Sequence, residues 1–329
     1  MIFKVFKFTY DLNITIIDSM NDLAYCYTIS DKKTICIHRV YGMYPTLCIP
    51  DEINGYPVTQ IADYCFAQRQ KMPEDVLFYG EKEEKYELSG KLVEEIILPD
   101  SIEKLGSFVF YGCTKLKSIS FPKNLKEIGS DDFINCLSLH TLYYRTHMEA
   151  GTILKQILTQ IAWDIDVVFE NGIVFFPEYY EVYDEIGPAH IFGLQISGEG
   201  FRMRQCFEDG KLQLDQVDKI FEKLCVEESF STLAHFSLVR FLNHRKEYHV
   251  YIQQNQRKLV KWMTQESQWS QDFIISVLET MKKEDCLHTD TLNYVLKYSQ
   301  EKQWPQLSAL CIGWKQEKKR QKTYNFEDF

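Results

Sequence analysis

Cys136, His140 and His147 bring a thiol and two imidazoles into one short span, and these are the groups from which tetrahedral zinc sites are built. Cys113, however, holds the same place as Cys136 in an earlier, similar segment, and a small residue recurring at one point of a repeat packs a turn. No metal is therefore expected. His235, His244 and His249 are separated by nine and five residues, which does not set them on one helix face. Ser197-Gly198-Glu199-Gly200 is the best glycine-rich candidate for cradling a phosphate. It lacks the third glycine and the flanking strand of a dinucleotide fingerprint, so a plain turn is the better reading. Glu178, Glu181, Asp184 and Glu185 stand among Tyr179, Tyr180 and Tyr183, an acidic cluster suited to holding a cation or to acid-base work. A solvated acidic face is the better reading. There is no GxSxG elbow, no GxxxxGK[ST] loop, no HExxH and no CxxC pair. No catalytic residue and no cofactor are expected.

The elements that would carry such groups come next. The chain has 329 residues, 45% hydrophobic and 14% aromatic, which is ample for two packed domains. Forty-seven acidic against thirty-seven basic residues give a net charge of −10, which disfavours a sequence-blind grip on nucleic acid. The dense basic run from Lys315 to Lys322 reads as a solvated helix end or tail. At the N-terminus, Lys4, Lys7 and Asp11 break up the apolar residues, so no signal-peptide core is expected. No window has the roughly 18 consecutive apolar residues of a membrane span. Several of the ten cysteines sit in apolar runs such as TLCIP and EKLCV, the pattern of reduced, buried thiols. The cytoplasm is the expected compartment.

A repeat organises the first half. Pro99 and Pro122, Leu105 and Ile128, Gly106 and Gly129, Phe110 and Phe133, Cys113 and Cys136, and Leu116 and Leu139 are each 23 residues apart. A third copy runs from Ile49-Pro50 through Val58 and Ile61-Ala62 to Cys65-Phe66, with Asn54-Gly55-Tyr56-Pro57 as an inserted turn and alanine at the glycine position. Periods of roughly 20 to 29 residues with apolar residues at fixed places mean a solenoid, each coil burying its apolar side on the next. Leu116, Ile119, Phe121 and Pro122 alternate like a strand that the proline ends. Stacked coils then form a narrow parallel sheet.

IPDEINGYPVTQIADYCF and LPDSIEKLGSFVFYGCTKLKSI resemble the leucine-rich repeats of the bacterial BspA type, whose coils read like IPxxVTxIGxxAFxxCxxLxxI and often open with INGYPVTxI. The resemblance covers about Ile49 to Tyr144, with three recognisable coils, and Gln68 to Gly90 interrupts the array after the first. Alternation turns Ile96, Leu98, Ile119, Phe121, Leu142 and Tyr144 inward. It leaves Glu95, Ser118 and Thr141, and Ile97, Ser120 and Tyr143, as two outward ladders. In solenoids of this kind such ladders line the partner-binding face, so these six are the expected partner-binding residues, the alternative being a merely solvated strand face.

Phe3 to Leu47 is rich in β-formers, with turn signals at Asp18-Ser19, Ser30-Asp31 and Tyr41-Gly42, and is expected to cap the first coil. Ile153, Leu154, Ile157, Leu158 and Ile161 have the spacing of an amphipathic helix within Gly151 to Trp163 that would seal the far end. VVFENGIVFF reads as a hairpin about Asn171-Gly172. The stretch from Phe176 to Phe207 has no clear period and reads as irregular. From Leu212 the pattern is helical: Leu214, Val217, Ile220, Phe221 and Leu224 share one face, and Leu233, Phe236, Phe241 and Leu242 follow. Further helices are expected at Gln256 to Thr264, Asp272 to Lys283, Thr291 to Gln300 and Gln306 to Gln316. This region resembles the helical part that accompanies such repeats in some gut-type Firmicutes proteins, and LNYVLKYSQEKQWPQLSALCIGWKQ resembles an ankyrin-type hairpin without the TPLHxA turn. A HEAT-like or unclassified bundle fits the same spacing.

The expected fold is thus α+β, a short leucine-rich-repeat solenoid with parallel strands followed by a mainly α-helical domain of helix hairpins. Its parts are a β-rich cap (1–47), the solenoid (48–145, with the insertion 68–90), a connecting helix, hairpin and irregular segment (146–210), and the helical domain (211–329). The resemblance implies a non-catalytic module that binds a protein partner of unknown identity through the exposed repeat face, aided by the helical domain. Two alternatives are a surface adhesin of the BspA type and an enzyme whose site lies in 179–207, with Glu181, Asp184 and Glu199 as residues to test.

Overall fold

The computed structural model describes residues 23–68, 72–186, 191–243, 248–265 and 269–324. They fall into two compact units that divide between Glu228 and Ser229.

In the first unit, β1 (Ala24–Ile29) and β2 (Ile35–Gly42) form an antiparallel pair across the expected turn at Ser30-Asp31. β3 (Thr46–Cys48) follows, then β4 (Glu52–Ile53) and β5 (Tyr56–Ile61). The last two pair through Asn54 and Gly55, both left-handed at φ 53° and 76°, as a two-residue hairpin requires. β6 (Leu77–Tyr79) and β7 (Tyr86–Glu87) come from the insertion and pair with β1 and β2, so it builds onto the cap sheet. β8 (Glu95–Ile97), β9 (Lys104–Leu105), β10 (Ser118–Pro122), β11 (Thr141–Arg145), β12 (Ile165–Phe169) and β13 (Gly172–Phe176) complete the coils.

Two sheets result. In one, β3, β8, β10, β11 and β12 are parallel neighbours, closed by antiparallel β13. In the other, β2, β5 and β9 run parallel, and a bridge from Lys104 to Glu127 carries the ladder one coil further. Ile96, Leu98, Ile119, Phe121, Leu142 and Tyr144 are buried between them, on the inward side that alternation predicts.

The recurring residues stack on their own kind. The rings of Phe66, Phe110 and Phe133 lie 5.7 Å apart at each step, tilted by only 9° and 13°. Cys113 Sγ donates to Phe66 O at 3.5 Å and Cys136 Sγ to Phe110 O at 3.1 Å. Burial pushes the Cys113 thiol up to about 12, so it stays protonated and able to donate. Tyr64, Phe108 and Asp131 are left-handed at φ 59°, 59° and 61°, so the coils share a strained turn residue as well as a sequence. Lys117–Glu94 (2.6 Å), Lys126–Glu103 (2.8 Å) and Lys104–Glu127 (2.9 Å) tie adjacent coils at the 23-residue spacing. As exposed pairs they contribute little stability and mainly mark the register.

Gly106 and Gly129 are required by proximity rather than by φ. A Cβ on Gly106 would lie 2.2 Å from Asp63 Oδ1 and 2.5 Å from Asp63 N, and one on Gly129 would lie 2.3 Å from Gly106 O. Gly129→Ala is expected to cost about 2–3 kcal/mol in urea denaturation, because backbone presses on backbone and nothing can swing aside. A loss of a few tenths would show that the coils have room to separate.

Near each end of the array a buried arginine gathers backbone carbonyls. Arg39 Nη1 donates to Cys65 O (2.8 Å) and Ala67 O (2.6 Å), with Glu87 3.4 Å from its Nε. Arg204 donates to Ile161 O (2.8 Å), Trp163 O and Gly200 O (2.9 Å each) and to Pro177 O. Both are almost wholly buried, at 3% and 1% exposure.

Several expectations are corrected. The parallel ladder has five strands from Thr46 to Phe169 rather than three coils ending at Tyr144. In the last coil a helix, Leu154–Leu158, replaces the usual turn, so the 23-residue spacing breaks there. That helix has five residues, and Leu154, Ile157, Leu158 and Ile161 point into the core, so it belongs to a coil and the hairpin of β12 and β13 closes the end. The hairpin turns at Glu170-Asn171, since Phe169 pairs with Gly172. Gly42 ends a strand rather than forming a turn, while Asp18-Ser19 lies outside the described residues. The stretch read as irregular contains a hairpin, β14 (Tyr180–Ile186) with β15 (Ile191–Ser197). Tyr180, Val182, Tyr183, Leu194 and Ile196 are all exposed, so no buried face imposes a readable alternation. The Leu214–Glu227 helix is counted with this unit, burying Val217, Ile220 and Leu224.

The second unit holds helices Phe230–Leu242, His249–Gln265, Gln271–Lys283, Thr289–Glu301 and Pro305–Tyr324, covering every helical segment expected there. Ser229 and Ser270 cap two of them, accepting from the N–H groups of Thr232 and Phe273 at 3.2 Å each. Both caps open a 13-residue helix, and they stand 41 residues apart. Tyr298 Oη donates to Thr264 O at 2.8 Å, joining the second helix of one pair to that of the next.

Candidate partner-binding surface

The parallel ladder positions the outward residues in strict register. One row runs Thr46, Glu95, Ser118, Thr141, Asp166, and the other Cys48, Ile97, Ser120, Tyr143, Val168. The six residues expected to face a partner are therefore brought together on one sheet, and the structure adds Thr46, Cys48, Asp166 and Val168. Asp166 and Val168 escape sequence reasoning because their coil lacks the proline and glycine marks of the repeat, and Thr46 and Cys48 because they precede Ile49-Pro50, where the first copy is read to begin. The first row is polar. The second is mostly apolar, with Ile97 and Tyr143 half-buried on either side of Ser120.

Ser120 is a correction. It holds its outward register position but is buried at 1% exposure. Arg145, the last residue of β11 and paired with Pro122, folds back over it, with Nη1 donating to Ser120 Oγ at 2.6 Å. Its Nη2 donates to Leu98 O at 2.6 Å and to Asp100 Oδ1 at 2.9 Å. A partner on this face meets the Arg145 guanidinium where the alternation alone offers a serine hydroxyl. At the other margin, His140 Nδ1 is 2.8 Å from Thr141 Oγ1, and Lys117 and Glu94 form their ion pair. The apolar row is thus flanked by polar groups, the layout of an interface with a few apolar anchors.

The groups with chemical potential in the sequence disperse. Cys136 is buried and donates to a carbonyl, His140 meets Thr141, and His147 Nε2 is 3.3 Å from Glu170. His249 packs on the Phe241 ring with centroids 5.1 Å apart, and His235 packs on Trp269 at 4.8 Å, while His244 lies outside the described residues. Gly198 is left-handed at φ 96°, and a Cβ on Gly200 would lie 2.0 Å from Pro177 O, so these glycines serve a tight crossing of two backbones. Glu181 is exposed on its strand, whereas Glu199 is buried and 2.7 Å from Arg202. Burial pushes the Glu199 carboxyl above its usual range, opposed by Arg202. The side chains of Asp184 and Glu185 lie outside the described ones. Among the described residues no group of three or more His, Cys, Asp or Glu side chains could hold a metal, and no helix is long and apolar enough to cross a membrane.

Residues 81–153 match the family model described as the BspA type leucine rich repeat region, in six copies. The repeat read from the sequence is of this type. Among solved structures, the chain is similar to a leucine rich repeat protein of T. pallidum, at 24% identity over 37% of this chain and 51% of that one, with a TM-score of 0.28. It is also similar to a leucine rich cell surface protein from Faecalibacterium prausnitzii, at 23% identity over 35% and 27% of the two chains, with a TM-score of 0.27. The chain spans about half the length of the first and about a quarter of the second. The search of curated proteins gives no match. Leucine-rich repeat proteins are generally protein-interaction or surface modules.

Proposed function

We propose that the chain is a non-catalytic module that binds a protein partner through the outward face of its parallel ladder, with Ile97 and Tyr143 as apolar anchors. The observation that carries this reading is the apolar row from Cys48 to Val168, held in register by five strands and bordered by Arg145, His140 and Lys117. Rigid strands present the row without an ordering cost at the moment of binding, and anchors at the centre of a face dominate affinity. The partner itself is unidentified. We assign the module to the cytoplasm, a reading supported by ten free cysteines, most of them buried.

The test is a comparative capture from lysate of the native cells. The expected result is a protein retained by the unaltered chain and by Leu137→Ala, and lost from an Ile97→Arg, Tyr143→Arg double variant. Each anchor should account for about 2 kcal/mol or more of affinity. Identical captures by all three chains would remove the ladder as the binding face. Fractionation of the same cells checks the compartment: recovery with the envelope would overturn the cytoplasmic assignment and favour adhesion.

A further inference from the structure

The second sheet carries a cleft of about 550 Å³, lined by Cys36, His38, Gln60, Asp63, Tyr64 and Lys104 among others. Its size falls within the roughly 300–1,000 Å³ typical of ligand sites. It is built from strands β2, β5 and β9 and walled by Pro73 of the insertion, so it belongs to a different sheet from the ladder described above.

The cleft's lining is mixed, with more apolar than polar surface, and its charges are balanced. Its two ionised lining residues, Asp63 and Lys104, are of opposite sign, and both are already engaged. Asp63 Oδ1 accepts from Ser107 N at 2.9 Å, and Lys104 Nζ lies 2.9 Å from Glu127. Burial holds the His38 imidazole below its ordinary range and pushes the Cys36 thiol up to about 11, so both are neutral at neutral pH. His38 Nε2 is 2.9 Å from Thr28 Oγ1, leaving Nδ1 as its second hydrogen-bonding atom. Gln60 adds an amide with donors and an acceptor. Tyr64 supplies an aromatic surface: it is 37% exposed and one face is taken by Phe108, stacked at 4.8 Å and 5°.

A charged ligand would have to displace the Lys104–Glu127 pair or the Asp63–Ser107 hydrogen bond, and a wholly apolar one would leave the Gln60 amide and the His38 imidazole facing it without partners. A pyranose ring satisfies both demands, because its C–H face lies on the electron-rich face of an aromatic ring while its hydroxyls donate to and accept from neutral polar side chains. We propose that this cleft binds a saccharide, with Tyr64 as the stacking platform and Gln60 and His38 as hydroxyl partners.

The test is saturation-transfer NMR on the full chain with maltotriose, cellotriose and chitotriose, and with citrate and arginine as charged probes. The expected result is transfer to the ring protons of at least one trisaccharide, weakened about tenfold or more by Tyr64→Ala and by Gln60→Ala and unchanged by Leu137→Ala. Circular dichroism verifies that each variant is folded, and Gln60→Ala decides the matter alone if the stacked Tyr64 proves necessary for folding. Absence of transfer to all three trisaccharides, binding indifferent to Gln60→Ala, or binding of citrate or arginine alone would overturn the proposal. Ile97→Arg leaves this binding unchanged whether or not the ladder engages a protein, so the two sites are tested separately.

Discussion

Arg204→Ala is expected to unfold the first unit under conditions where the unaltered chain is native. The guanidinium holds the carbonyls of Ile161, Trp163, Pro177 and Gly200 at once, from the last coil, the residue after β13 and the first residue of the Gly200–Met203 helix. Gly200 O keeps the backbone N–H of residue 204 at 3.2 Å, so three carbonyls lose their donor; at about 1–3 kcal/mol for each, the loss is expected to be on the order of 3 kcal/mol or more. A domain's whole stability is only about 5–15 kcal/mol. Burial lowers the Arg204 pKa to about 10, opposed by Tyr179 and Asp164, which leaves it charged at neutral pH. Lysine should not rescue the fold, because a single ammonium cannot reproduce the planar fork. Amide exchange at Leu142 and Val167 reads the effect locally, and protection equal to that of the unaltered chain would show that the end coil is held by something else.

Asp132→Asn is expected to stabilise the chain above neutral pH and to leave it nearly unchanged near pH 4. Asp132 is completely buried and its Oδ1 accepts from Val109 N at 2.7 Å, while Oδ2 has no hydrogen-bond partner among the described residues. Burial raises its pKa from 3.8 to about 7; the Val109 N–H opposes this, and Asp63 and Asp131 reinforce it. The folded chain therefore keeps a proton that the unfolded chain releases. Stability is full below the ordinary carboxylate range and is lost as pH rises through about 7. At about 1.4 kcal/mol per pKa unit the penalty above pH 7 is on the order of 4 kcal/mol. Asparagine keeps the acceptor for Val109 and removes the charge. Urea midpoints between pH 4 and 8 check this: the unaltered chain should weaken across the range and the variant should stay flat, and parallel curves would contradict the buried-charge account.

The solenoid was legible because its glycines, cysteines and phenylalanines answer to stacking constraints that recur once per coil. Gly129 sits against Gly106, Phe133 on Phe110, and Cys136 binds a carbonyl of the preceding coil. The inward positions followed from alternation alone. What stayed hidden lies where one coil differs from the next: the helix that stands in for a turn before β12, and the burial of Ser120 by an arginine 25 residues away. The hairpin of β14 and β15 exposes apolar residues on both strands, so no pattern marked it. The 41-residue recurrence of Ser229 and Ser270 was present in the sequence, yet only the shared cap makes it visible, because Leu233 and Ile274 match in burial and not in identity. The outward rows were legible as positions, whereas the cleft on the second sheet needed residues from Cys36 to Lys104 to be brought together by folding.

Arginines at both extremities also bear on what this chain does when concentrated. A stack of coils is by construction open to one more, and a terminal layer with free carbonyls would invite the first layer of another molecule, leading to filaments. Here β1 covers β2 at one end and antiparallel β13 covers β12 at the other, while Arg39 and Arg204 hold carbonyls of Cys65, Ala67, Ile161 and Trp163 from within, so those acceptors are not offered to a second molecule. A variant that keeps the fold while uncovering one of these edges should therefore be the one prone to end-to-end association.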